Sequence, residues 1–402
     1  MKLSCQQTPI KAYITIGWAS EATFRDDFGD DFAHLAIVPD IEAADPGATL
    51  ENSADFAAFE AANNTDGGIN LFAPGGIPEL VTNPYGVAVL GGGVFVNDAG
   101  ANALLRTNRQ GEDLTLAGVY DDVRLVPAPG FLGLPPELNP LPMQQVPTGL
   151  AVGPDRLLYA TEFTGLPLPV GLARVLRFDP RGPADAAFEV FLEGFTNLTD
   201  LTFDGAGNLW VIEYDSDSVL TEETPFGALI RVAPDGERRV ISNQLINPTG
   251  LTAGDDGTLY VANSGFIPGT GQILAFVPEL PPLELALVDA GDDEILDVIV
   301  GDGAVIDVDA LGVERFNLVL LNPRPGTKSV RFTLEGPVEA QRADRIEPYG
   351  VFAISGDRFI GRAAQGGDYT LQIQSFDGNF ALGTPFDDVT IDFTFIKDED
   401  ED

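Results

Sequence analysis

Cys5 is the only cysteine and His34 the only histidine in this 402-residue chain. One cysteine allows neither an internal disulfide nor a thiolate metal cluster. One histidine excludes a histidine-clustered zinc site, and it excludes the usual Ser-His-Asp triad unless His34 itself serves. Within FAHLAIV, His34 reads as a strand residue. Lysine is confined to Lys2, Lys11, Lys328 and Lys397. No apolar run reaches the ~18 residues of a membrane span, so membrane insertion is not expected. The opening MKLSCQQTPIKAYITIGW lacks the unbroken apolar core of a signal peptide, because Ser4, Gln6, Gln7 and Thr8 interrupt it. AYITIGW reads as a strand already under way.

Basic charge is scarce as well: 22 Lys and Arg stand against 62 Asp and Glu, a net charge of −40. Such a chain repels nucleic acid phosphates and anionic membranes, and neither is expected as a partner. Its surface favours cations, and its self-repulsion is screened at high ionic strength. Adaptation to salty surroundings and simple solubility both fit.

What the chain does contain is a repeat. INPTGLTAGDDGTLYVANSG, from Ile246, has relatives in NPYGVAVLGGGVFVNDAG from Asn83, VPTGLAVGPDRLLYATEFTG from Val146 and NLTDLTFDGAGNLWVIEYDS from Asn197. Each is a short apolar strand, a Gly- or Asp-rich turn, a strand carrying an aromatic, then an acid or amide. The aligned aromatics are Phe95, Tyr159, Trp210 and Tyr260; the aligned ends are Asp98, Glu162, Glu213 and Asn263. A third strand follows in every unit (NALLRTNRQG, ARVLRFDPRG, ALIRVAPDG, GQILAFVPE) and a fourth in some (AFEVFLEGF, RRVISNQL). Four short strands at an irregular period of about 50 residues are the signature of propeller blades. A lone hairpin is marginal in water, so neighbouring blades must cover one another, with the aromatics between them.

The expected architecture is all-β: an NHL-like β-propeller over 1–278, with four clear blades at 83–278 and a partial blade and helical connection at 1–82. In ENSADFAAFEAANN, Phe56, Phe59 and Ala62 lie at helical spacing after Ser53, a candidate cap. Residues 119–145 break the period with a Pro-rich loop, of a length found both in functional loops and in surface extensions. After the joint PELPPLEL, seven strand candidates (LELALVDA, AVIDV, RFNLVLLNP, SVRFTLEG, YGVFAI, DYTLQIQSF, VTIDFTFI) suggest an immunoglobulin-like β-sandwich over 283–396. KDEDED, ending in 397–402, is a solvated acidic tail.

The runs DFAAFEAANN and NPYGVAV, then MQQVPTGLAVGPDRLLYATEFTGLPLPVGLARVLRF, FTNLTDLTFDGAGNLWVIE and FGALIRVAPDG, resemble the ScyD/ScyE family. These are NHL-like propeller proteins named for genes beside cyanobacterial pigment biosynthesis. The likeness spans residues 55 to 277. It implies a propeller, usually exported, hence an extracellular or periplasmic location, and it implies no known reaction. Family members open with a signal peptide and a further blade, so a full protein of about six blades is expected. RADRIEPYGVFAISGDRF and GGDYTLQIQSFDGN resemble, more loosely, β-sandwich modules appended to secreted bacterial proteins.

In a blade, the first strand starts and the second ends at one face. Asp98, Glu162, Glu213 and Asn263 are therefore expected around one mouth of the channel, with Asp200 where the other repeats have Gly86, Gly149 and Gly250. Converging oxygens suit Ca²⁺, and propeller lactonases resemble this arrangement. Equally, such side chains hydrogen-bond loop backbone and terminate strands. Loops at the same face are apolar: Leu166, Leu168, Val170, Phe226, Phe266 and Ile267 either form an open greasy rim or fold over one another. Tyr349, Phe352, Asp357 and Tyr369 of the sandwich read as core packing ahead of a sugar platform. The leading expectation is a non-catalytic binding or scaffold propeller that takes a small hydrophobic or aromatic molecule, or a protein partner, at the loop face. The rivals are a Ca²⁺-dependent lactonase-like hydrolase and a cell-surface adhesion protein.

Overall fold

The computed structural model describes residues 11–17, 29, 31–40, 50–68, 80–136, 139–182, 188–220, 226–254, 256–265, 269–277, 283–324, 327–376, 378–381, 385 and 387–397. The chain packs as two compact units, Met1–Ala253 with Leu259–Phe276, and Gly254–Thr258 with Val277–Asp402.

The first unit is a series of antiparallel sheets whose strands follow chain order. Three have four strands: Pro84–Leu90, Gly93–Asp98, Ala103–Asn108 and Thr115–Val119 (blade I); Pro147–Val152, Leu158–Glu162, Ala173–Phe178 and Glu189–Phe195 (blade II); Leu198–Phe203, Leu209–Glu213, Phe226–Val232 and Arg238–Ile246 (blade III). Gly250–Ala253, Leu259–Asn263 and Gln272–Phe276 form a three-stranded blade IV, and Ala12–Ile16, His34–Val38 and Glu51–Asp55 a three-stranded sheet ahead of blade I. The innermost strands lie beside one another in sequence, from 12–16 through 84–90, 147–152 and 198–203 to 250–253.

No blade buries both faces alone, and each seam has its own apolar cluster. Phe95 and Leu104 of blade I meet Leu150, Leu158 and Leu176 of blade II. Tyr159 and Val175 of blade II meet Leu201, Leu209 and Val211 of blade III. Trp210, Ile212 and Leu229 of blade III meet Leu251, Leu259 and Val261 of blade IV. Leu35, Ala54 and Phe56 close the other side of blade I on Val94, Val96 and Leu105. Side chains also stitch inner strands together across the seams. Thr15 Oγ1 donates to the Tyr85 carbonyl at 2.7 Å, Thr148 Oγ1 to the Leu198 carbonyl at 2.8 Å and Thr199 Oγ1 to the Pro248 carbonyl at 2.8 Å. Asn97 Nδ2 donates to the carbonyls of Thr148 and Gly149. These bonds satisfy carbonyls that splayed inner strands cannot pair in a ladder.

Two local expectations change. The helix α1, Phe56–Asn63, is capped by Asp55, whose Oδ1 accepts from the Ala58 amide at 2.9 Å. Ser53 is not the cap: it is held in the preceding strand, donating to the Leu35 carbonyl. The Pro-rich interruption is not a plain loop but a β-hairpin, Arg124–Val126 with Leu141–Met143, carrying a 3-10 turn at Gly130–Leu132.

The second unit is a two-sheet sandwich. One sheet runs 294–300, 285–289, 315–320, 362–363; the other runs 304–307, 387–396, 367–376, 329–335, 340–344, with the 304–307/387–396 pair parallel. Inward residues at every second position, such as Val330, Phe332 and Leu334, or Tyr369, Leu371 and Ile373, share one core with Phe316, Leu318, Phe393 and Phe395. Tyr349, Phe352 and Tyr369 lie in that core while Asp357 is exposed, so they form no platform. YGVFAI is not a regular strand: Gly350 makes one isolated bridge and Ile354–Ser355 a two-residue strand. Two strands carry weaker signals, Glu294–Val300 on an edge and Ala340–Asp344, whose residues are mostly polar. The phenylalanine and isoleucine of SGFIPGTG, Phe266 and Ile267, fall outside the described residues, as does the acidic tail after Lys397.

Candidate functional site at the blade loop face

Strand register fixes which groups share a face. Pro84 pairs with Asp98, Pro147 with Glu162 and Leu198 with Glu213. The loops that follow Asp98, Glu162 and Glu213 therefore emerge beside the connections that enter each blade. In all three, the first strand has a register shift just after its opening residue, at Pro84/Val87, Pro147/Leu150 and Leu198/Asp200. A bulge there turns the chain from the face into the channel.

The acids and the amide at this face do not assemble into a ligand ring. Asp98 is fully buried, with Oδ1 accepting from the amides of Asn83 (2.6 Å), Gly100 (3.0 Å) and Ala101 (3.0 Å), and Oδ2 accepting from the Thr82 hydroxyl. Glu213 accepts from the Thr196 amide at 2.8 Å and from Ser216 Oγ at 2.7 Å. Asn263 Oδ1 accepts from the Ile246 amide at 2.7 Å. The same latch recurs: the last residue of the second strand grips the amide of the segment entering its own blade. Among the described residues no three His, Cys, Asp or Glu side chains stand together so as to hold a metal ion. The expected Ca²⁺ ligands Asp98, Glu162, Asp200, Glu213 and Asn263 are thus not gathered into one set among the described residues. The oxygens of Asp98, Asp200, Glu213 and Asn263 answer backbone donors, because a buried strand end leaves amides that nothing else can satisfy.

Glu162 departs from the pattern. Arg124 contacts its Oε1, and Arg174 Nε donates to its Oε2 at 2.8 Å. Arg174 Nη1 also reaches Asp122 at 2.8 Å, and Arg124 Nη1 donates to the Leu172 carbonyl at 2.8 Å. The interrupting hairpin is thereby clamped to the blade II loop, helped by the Gly165 amide on the Gln144 carbonyl at 2.9 Å. Burial raises Glu162, and the two guanidiniums offset part of that. Burial pulls Arg174 down, but Glu162 and Asp122 outweigh it and hold Arg174 above its ordinary value. Sequence reading missed Arg124, Arg174 and Asp122. The available signal was Arg174 beside the apolar Val175 and Leu176 near the start of the strand ARVLRF, in a chain poor in basic residues.

Asp200 lies elsewhere, on the channel. Its Oδ1 accepts from the Leu201 amide at 2.9 Å and its Oδ2 from the Leu251 amide at 2.8 Å, tying blade III to blade IV. A cavity of about 340 Å³ opens beside it, lined by the inner strands of blades I to IV through Tyr85, Leu150, Asp200, Thr249 and Leu251 among others. Tyr85 Oη donates to the Thr249 carbonyl at 3.1 Å, joining blades I and IV across the channel. Burial pushes the Asp200 carboxyl from 3.8 up to about 7, and its two amide bonds only moderate that.

The apolar loop residues are held on this face by hydrogen bonds. Leu166, Val170 and Phe226 are 49%, 57% and 40% exposed. Leu168 is half-buried, its carbonyl accepting from Ser218 Oγ at 2.6 Å. The Gly171 amide is fixed on Thr196 Oγ1 at 3.0 Å, and the Phe226 carbonyl takes the Ser216 amide at 3.0 Å. On the clamped hairpin, Leu125 and Phe131 add further exposed apolar surface. Among the described residues no helix is long and apolar enough to cross a membrane.

Against known proteins, no family model and no curated protein matches the chain. Among solved structures it is similar to one described, provisionally, as a gluconolactonase (18% identity, TM-score 0.32), covering 61% of this chain and 76% of that one. It is similar to a chain of a nidogen/laminin complex (15%, TM-score 0.34; 57% and 64% covered). It is also similar to the PQQ-bound aldose sugar dehydrogenase of Streptomyces coelicolor (17%, TM-score 0.36; 77% and 93% covered). Identities and scores this low carry no argument about activity. The chain is an all-β protein of propeller-type blades followed by a β-sandwich.

Proposed function

We propose that the first unit is a non-catalytic binding propeller, exported and of the ScyD/ScyE type. Its loop face takes the apolar or aromatic part of a small molecule or of a protein partner. One observation carries this reading: Leu166, Val170 and Phe226 are exposed at that face on segments pinned by hydrogen bonds. Apolar side chains fixed in water at one face are the usual mark of a contact surface. A pinned loop also loses little conformational freedom on binding. The hydrolase alternative needs free convergent oxygens, and those of Asp98, Glu213 and Asn263 already answer backbone amides.

The test is a titration with Nile red, a neutral aromatic dye that the acidic surface does not repel. Saturable fluorescence enhancement is expected for the wild-type chain. A Leu166→Ser/Val170→Ser/Phe226→Ser variant with unchanged melting temperature should lose most of it. No saturable binding, or equal binding by the variant, would reject the loop face as the site.

A further inference from the structure

The channel carboxylate, on the inner strand of blade III, has no part in the reading above. Four inner strands place four equivalent residues around the channel: Gly86, Gly149, Asp200 and Gly250. Two of the glycines, Gly86 and Gly149, are a steric requirement. A Cβ at Gly149 would lie 2.5 Å from both the Cα and Oδ1 of Asp200, and one at Gly86 would run into the Thr148 carbonyl. At Gly250 a Cβ would meet only Ala262 Cβ, at 3.5 Å, so two of the four positions exclude a side chain, and the one side chain the ring presents is the Asp200 carboxylate.

Asp200 has one backbone donor on each oxygen, at 2.9 and 2.8 Å. Each oxygen of an ionised carboxylate has a second acceptor site, so half its capacity remains. Among the described residues no Lys, Arg or His lines the 340 Å³ cavity, and the other titratable side chain there is Tyr85. Burial, and next the Asp200 charge, raise the Tyr85 phenol, so it stays neutral and offers no counter-charge. An ionised carboxylate that is half-buried, as Asp200 is, still costs free energy unless paired. Two species can relieve it, a proton or a cation.

The cavity favours a cation larger than a metal ion. Its volume lies within the ~300–1,000 Å³ range of small-molecule sites. Its walls mix Leu150, Leu251 and Val87 with the hydroxyl-bearing Thr249 and Thr252. A divalent metal would want several charged oxygens, and here there is one. We propose that this axial cavity binds a small organic ammonium ion, with Asp200 as its counter-charge, Tyr85 and the threonines as polar neighbours, and the leucines against its hydrocarbon part. The −40 net charge raises the local concentration of any such cation.

The experiment titrates propylammonium chloride into the full chain by calorimetry at about pH 8, with sodium chloride at matched ionic strength and propanol as controls. Saturable propylammonium binding is expected, with none for propanol and only dilution heat for sodium. Asp200→Asn should weaken the binding at least tenfold, whereas Ile346→Ser, at an exposed position of the sandwich, should leave it unchanged. A readout on the wild-type chain guards against misfolding of the variant. In buffers of different ionisation heat, binding near pH 7 should release about half a proton, and less as the pH rises, because the cation displaces the proton on Asp200. Absent binding, binding matched by sodium, unchanged binding in Asp200→Asn, or binding without proton release near pH 7 would each overturn the proposal.

Discussion

Trp210 and Tyr260 occupy the same position in successive repeats and have opposite fates. Trp210 is 4% exposed between blades III and IV, its indole N–H on Asp204 Oδ2 at 2.8 Å. Tyr260 is 41% exposed. Phe95 and Tyr159 behave like Trp210, each packed into the seam with the following blade. The difference teaches that the repeat encodes a position within a blade, while the neighbouring sheet supplies the burial. Blade IV carries the same aromatic with no described blade following it. Stability in such an array is the sum of blade and seam contributions, so equivalent residues need not matter equally.

Breaking the comparison begins with Trp210→Ala, which should destabilise the first unit by about 3–5 kcal/mol in chemical denaturation. Next is Asp98→Ala, which strands three backbone amides and a hydroxyl; a loss of about 3 kcal/mol or more is expected in the same assay. The third effect is on pH. Burial raises Asp98, Glu162, Asp200 and Glu213 above the ordinary carboxylate range. The native state therefore keeps protons that the unfolded chain has already released, and stability falls as pH climbs through the raised values. For Asp200 that window runs from 3.8 to about 7. The melting temperature should be higher at about pH 5.5 than at about pH 8, and Asp200→Asn should flatten the slope. The smallest effect belongs to Tyr260→Ala, expected within about 0.5 kcal/mol of wild type. A cost for Tyr260→Ala as large as that for Trp210→Ala would mean that something covers blade IV.

The blades were legible because they repeat: turn, aromatic and terminal acid recur together, and the strands fell where those signals stood. The sandwich was legible where alternation is clean, as in SVRFTLEG and VTIDFTFI. It failed at Glu294–Val300 and Ala340–Asp344, whose exposed edge positions dilute the pattern. YGVFAI misled because Tyr349, Val351 and Phe352 are buried as core residues without extending into a ladder. The shared face of Asp98, Glu162, Glu213 and Asn263 followed from topology. Their roles did not, since a terminal carboxylate reads the same whether it meets a metal or an amide. What separates the two is the partner: the Thr196 amide for Glu213, the paired guanidiniums for Glu162. Those partners come from segments whose approach no local pattern announces.

The central claim is that the loop-face acids are latches and not ligand donors. Its most direct test is the melting temperature of wild type and Glu213→Ala, each with millimolar Ca²⁺ and with sodium chloride at equal ionic strength. The latch account predicts a lower melting temperature for Glu213→Ala in both salts by the same amount, with no Ca²⁺-specific gain in wild type. A Ca²⁺-specific rise in wild type that Glu213→Ala abolishes would contradict it.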